Sequence, residues 1–145
     1  MIKTSIKSSS PGRYAIAILF AGALAVLSCG KPGGDFAFKK PMEDVYRKVA
    51  QPPEFEREEA VDWVFALKGL GGSPVKLAVF LVKKELVWVE LHTRTESVTR
   101  DRAFIYGTIE GLKKGRYKII IARGGDVVGE QEFDIYDETD DGVFD

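Results

Sequence analysis

Cysteine and histidine are nearly absent: Cys29 is the single thiol and His92 the single imidazole in 145 residues. One cysteine cannot close a disulfide within the chain, so a small disulfide-stapled scaffold is excluded. One histidine without a cysteine pair leaves no zinc-ligand spacing. No acidic residue precedes Asp35. The longest apolar run, residues 14–27 (YAIAILFAGALAVL), rises only about 21 Å as a helix, too short for a hydrocarbon core of roughly 30 Å. Long helical periods are also missing after residue 59, which argues against an α-helical domain.

The N-terminus nonetheless has a definite pattern. Lys3, Lys7 and Arg13 give a positive start, the short apolar run follows, and Ser28-Cys29-Gly30 ends it. A basic segment followed by a short apolar one is the layout of an export signal rather than a membrane span. Ordinary signal cleavage needs a small residue at position −3, where Val26 fits poorly. Val26-Leu27-Ser28-Cys29 instead resembles the lipobox of bacterial lipoproteins, with Val26 in place of the commoner Leu. The resemblance implies cleavage between Ser28 and Cys29, diacylation of the Cys29 sulfur, and an anchor of two or three acyl chains. Such an anchor holds stably where a single chain does not. Gly30, rather than Asp, follows the cysteine. By the enterobacterial sorting pattern this implies the periplasmic face of the outer membrane in a diderm organism.

Removal of residues 1–28 leaves 117 residues with 18 basic and 22 acidic side chains, a net charge of −4. That balance argues against nucleic acid as a partner. With Cys29 lipidated, cysteine catalysis is excluded too, and 117 residues must be stabilised by an apolar core alone.

Four segments follow: the signal (1–28); a lipidated cysteine, tether and N-terminal segment (29–58); a β domain (59–136); and an acidic tail (137–145). Residues 30–34 (GKPGG) read as a flexible tether. Alternating Phe36 and Phe38 suit a short edge strand, and Met42, Val45, Tyr46 and Val49 suit one or two helical turns ended by Pro52-Pro53. From residue 59 the period becomes two. Strands are expected at 60–68, 75–83, 86–95, 103–110, 116–123 and 127–136. Arg123-Gly124-Gly125-Asp126 is a strong hairpin signal for the last pair. The run VKLAVFLV at 75–82 is apolar enough to be covered on both faces. The fold class is all-β, a sandwich of about seven strands.

Leu112, Gly115 and Tyr117 fit L-x-x-G-x-Y, the tyrosine corner of immunoglobulin-like sandwiches. The stretch 107–122 (GTIEGLKKGRYKIIIA) resembles the E–F region of fibronectin type III domains. The resemblance lays the six strands onto B, C, C′, E, F and G in that order and implies a fold, not a function.

Chemistry-bearing groups are sparse, and neither a catalytic residue, a metal site nor a cofactor is expected. Strand alternation puts His92 on one face with Trp88, Glu90 and Arg94, where it reads as a solvated surface residue. Asp137, Thr139, Asp141 and Gly142 match the opening positions of a calcium loop, but the twelfth-position Glu has no counterpart, so the tail reads as solvated and acidic. Trp63, alternating with Val61, Phe65 and Leu67, is assigned to the core. Trp88 and Tyr106 are the candidates for a shared flat contact surface. The expected function is therefore a non-enzymatic, membrane-anchored module that contacts another envelope protein or stabilises an assembly. The alternatives are a glycan or small-ligand binder, an enzyme whose carboxylates converge only in three dimensions, and an accessory lipoprotein of a secretion or motility apparatus.

Overall fold

The computed structural model describes residues 33–138, all of its regular structure being β. The strands are β1 (Gly33–Lys39), β2 (Glu54–Glu56), β3 (Val61–Lys68), β4 (Val75–Lys84), β5 (Trp88–Val98), β6 (Phe104–Ile109), β7 (Gly115–Arg123) and β8 (Asp126–Tyr136). They form a three-stranded sheet, β1-β3-β6, and a five-stranded sheet, β2-β8-β7-β4-β5. All neighbours are antiparallel except β2, which runs parallel to β8.

The period-two pattern explains the sandwich. In β3, Val61, Trp63, Phe65 and Leu67 are buried while the residues between them face outward. In β7, Tyr117, Ile119 and Ile121 do the same. Facing apolar rows meet in one core, and its centre is aromatic. Phe36 lies 4.7 Å from Phe65, Phe38 lies 6.2 Å from Phe133, and Phe55 meets Phe133 edge-on. Such tilted and edge-on pairs add to the stabilisation already gained by burying the rings.

Three local features depart from the sequence expectation. Gly33 and Gly34, assigned to the tether, already belong to β1, and β1 and β2 complete the two sheets ahead of residue 59. The helical spacing over 42–50 does not produce a helix: Phe38 and Arg47 exchange backbone hydrogen bonds of 3.0 and 2.8 Å instead, and Met42 and Val45 are exposed. Prolines at 41, 52 and 53 leave too few residues for an isolated helix to nucleate, so the segment takes its backbone partners from the strand edge. Finally, β2 has only three residues, too few for a period to register, yet its Phe55 is completely buried.

The corner at Leu112, Gly115 and Tyr117 forms as its residues suggest. The Tyr117 ring is 1% exposed, stacks on Phe133 at 5.5 Å, and its hydroxyl donates a 2.6 Å hydrogen bond to the Lys113 carbonyl. Burial pushes its phenol pKa up. Tyr117→Phe keeps the ring and deletes that bond. It is expected to lower stability by about 1 kcal/mol, read as a shifted urea midpoint with an unchanged slope. Gly124 and Gly125, with φ of 56° and 96°, close the β7–β8 hairpin as a type I′ turn requires.

Candidate interaction surfaces

The outer face of the three-stranded sheet holds the most exposed paired aromatics. Phe104 and Tyr106 alternate with buried Ile105, so both point outward from β6; they are 45% and 55% exposed with ring centroids 6.1 Å apart. Val64 and Ala66 of β3 lie directly opposite them and extend the apolar strip. Thr108 donates to Asp62 at the strip's end, and Lys39 pairs with Asp62 at 3.5 Å, giving a polar rim. The sequence reading included Tyr106 and missed Phe104, although their i, i+2 spacing was the signal that would have found it.

Trp88 is elsewhere. It opens β5 on the outer face of the other sheet, partly buried beneath Lys84 and Lys118, whose ammonium groups lie 5.3 and 4.6 Å from its ring centre. Arg94 of β5 donates to the Tyr106 carbonyl at 2.7 Å. Trp88 is six residues back along the strand, about 20 Å at 3.3 Å per residue. Trp88 and Tyr106 therefore do not share a surface. Nor does Trp88 share a face with His92. Leu81 pairs with His92 but Val82 pairs with Glu90, so Leu91 is an extra residue that reverses the alternation. Trp88 and Glu90 point outward, whereas His92 and Arg94 turn toward the opening between the sheets.

That opening is a cleft of about 330 Å³ lined by Trp63, Leu81, Leu91, His92, Arg94 and Ile109, among others, with Glu110 as the carboxylate of its described lining. Arg94 lies 5.6 Å over the Trp63 ring and covers the indole, whose buried Nε1 has no partner among the described residues. Gly107, opposite Trp63, leaves room for the indole, because a Cβ there would sit 3.1 Å from the ring. Among the described residues no group of three His, Cys, Asp or Glu side chains could hold a metal. A shallower groove of about 480 Å³ crosses the outer face of the five-stranded sheet, lined by Phe80, Val82, Ile120, Ala122 and Val127, among others. It is the second face of the apolar β4 run.

The perturbed carboxyls lie at the surface. Hydrogen bonds from Lys48 and then Lys68 pull the Asp35 carboxyl down to about 2. A carboxyl lowered in the folded state stabilises fully above its unfolded pKa of 3.8, and this contribution is lost as pH falls toward 2. Stability should therefore fall between pH 4 and 2 less steeply in Asp35→Asn than in the parent protein, read by denaturant titrations at each pH. Glu56 is pushed the other way, chiefly by Glu138 and then by its own desolvation and by Glu59.

Ser28, Cys29 and the end of the acidic tail from Thr139 onward lie outside the described residues. No helix among the described residues is long and apolar enough to cross a membrane.

No protein-family model and no curated protein matches the chain. Among solved structures, β-glucosidase from Listeria innocua in complex with glucose and in complex with isofagomine each gives a TM-score of 0.42 at 10% identity, and the same enzyme in a third crystal structure gives 0.40. Each match covers 70% of this chain and 16% of the glucosidase chain. The chain spans about one sixth of that enzyme, and similarity at this level carries no argument about activity.

Proposed function

We propose that this protein is a lipid-anchored, non-catalytic module of the bacterial cell envelope, which contacts another envelope protein through the Phe104–Tyr106 face. The observation that carries the proposal is Val26-Leu27-Ser28-Cys29 closing a short apolar run behind Lys3, Lys7 and Arg13. Acylated Cys29 holds the domain on the membrane, and Gly30 favours the periplasmic face of the outer membrane if the organism is a diderm. The domain itself we take as fibronectin type III-like. In the lettering of that resemblance β3 and β6, as B and E, share one sheet, while β4, β5, β7 and β8, as C, C′, F and G, share the other. The pairing of the strand after C with C rather than E supports this reading over a constant-type immunoglobulin sandwich.

Exposed aromatics framed by polar groups are where binding energy concentrates in protein interfaces. A photoreactive residue at position 106 of the lipidated protein should crosslink one envelope protein in intact cells. Phe104→Ala with Tyr106→Ala should weaken that contact at least about tenfold, the scale of an interface hot spot. Absence of a specific adduct, with oligosaccharides instead quenching tryptophan fluorescence, would replace this proposal with the glycan-binding alternative.

A further inference from the structure

We infer that the end of the sandwich where β1 begins is a membrane-facing surface that recognises anionic phospholipid headgroups. This rests on the lipid anchor proposed above. Strand register fixes which residues share that end. Gly33 pairs with Lys68 at the end of β3, Val75 pairs with Val98, Ala66 with Phe104, and Arg123 with Asp126. The loops 69–74 and 99–103 and the turn 124–125 therefore sit together. Cys29 precedes Gly33 by four residues, which span at most about 14 Å when fully extended. An acylated Cys29 thus keeps this end close to the bilayer.

Its charge suits that position. Lys76, Arg100, Arg102 and Arg123 make no ion pair among the described residues, and all but Lys76 stand in or beside the terminal loops. Of the acids at this end, Asp35 is held by Lys48 and Lys68, and Glu96 by Arg94, which leaves Asp101 and Asp126. Arg94, Ser97 and Arg102 also line a polar pocket of about 190 Å³ between β5 and β6, with Glu96 as its acid. That pocket is of a size to admit a phosphate oxyanion among guanidinium donors. The opposite end has the reverse balance. Glu54, Glu56, Glu58, Glu59 and Glu138 gather there, and several of its cations are spoken for: Arg57 by Asp137, Lys83 by Glu85, Arg116 by Asp134.

A protein so polarised and tethered by its basic end is oriented by an anionic surface. Each basic residue within a Debye length of such a surface favours the docked orientation about fivefold. The lipid gives attachment, and the arginines give orientation.

The test uses the mature lipidated protein in vesicles, with Ser73→Cys at the basic end or Glu58→Cys at the acidic end carrying a fluorophore. Acylated Cys29 cannot react with the label. Quenching is read from phospholipids spin-labelled in the headgroup. Adding phosphatidylglycerol to phosphatidylcholine vesicles should raise quenching at position 73 severalfold over position 58. About 1 M salt should cancel the rise by screening, as should Arg100→Glu/Arg102→Glu/Arg123→Glu. Equal quenching with and without phosphatidylglycerol would overturn the inference while leaving the anchor intact. Failure of the purified protein to float with either vesicle, together with labelling of Cys29 itself, would overturn the anchor and this inference with it.

Discussion

Phe65→Ala is expected to destabilise the sandwich by about 3–5 kcal/mol, the usual cost of deleting a fully buried phenylalanine. Phe65 is completely buried at the centre of the core, 4.7 Å from Phe36. Its ring occupies space that two glycines leave open: a Cβ at Gly34 or at Gly129 would overlap Phe65 ring atoms. Gly129 comes from β8 of the facing sheet, so the ring bridges both layers. Gly129→Ala alone should then cost about 1–3 kcal/mol through overpacking. In a Phe65→Ala background the added methyl enters the vacated volume, so the two effects should fall well short of additivity. Urea unfolding of the four proteins measures the coupling. Additive losses would show that Gly129 does not make room for Phe65.

Cys29→Ser should have the second large effect, on location rather than stability. Serine removes the only sulfur that can carry a thioether-linked diacylglycerol. Two acyl chains, at about 0.8 kcal/mol per buried methylene, make attachment stable, and the variant loses that contribution. The lipobox resemblance also makes acylation the step before cleavage, so the variant should accumulate as uncut precursor and its mature form should be missing from membranes. Fractionation with an antibody to the folded domain distinguishes the two forms by size. A Cys29→Ser product that is both processed and still membrane-bound would contradict the anchor.

The β3 row Val61, Trp63, Phe65, Leu67, the hairpin at Gly124-Gly125 and the corner at Tyr117 were all legible, because each depends on local spacing that tertiary structure does not alter. The misplaced residues have equally local causes. One inserted residue, Leu91, reverses strand parity, and a strict alternation count carried from Trp88 to His92 therefore puts them on one face. Trp88 and Tyr106 fall in different sheets because the chain crosses between layers after Val98, which no periodicity marks. Residues 42–50 have helical spacing but too few neighbours to realise it, and β2 exists through its pairing with β8 rather than through its own pattern. The apolar strip of Phe104, Tyr106, Val64 and Ala66 needed the β3–β6 register before it could be seen as one surface. The cleft beside Trp63 likewise assembles side chains from both sheets.

The most direct measurement is the mass of the N-terminal peptide of the mature protein isolated from bacterial membranes. The lipid-anchor proposal requires that peptide to begin at Cys29 and to carry a diacylglycerol on its sulfur, with or without a further acyl group on its amine. A mature chain that begins elsewhere, or one that begins at Cys29 with a free thiol, would contradict it.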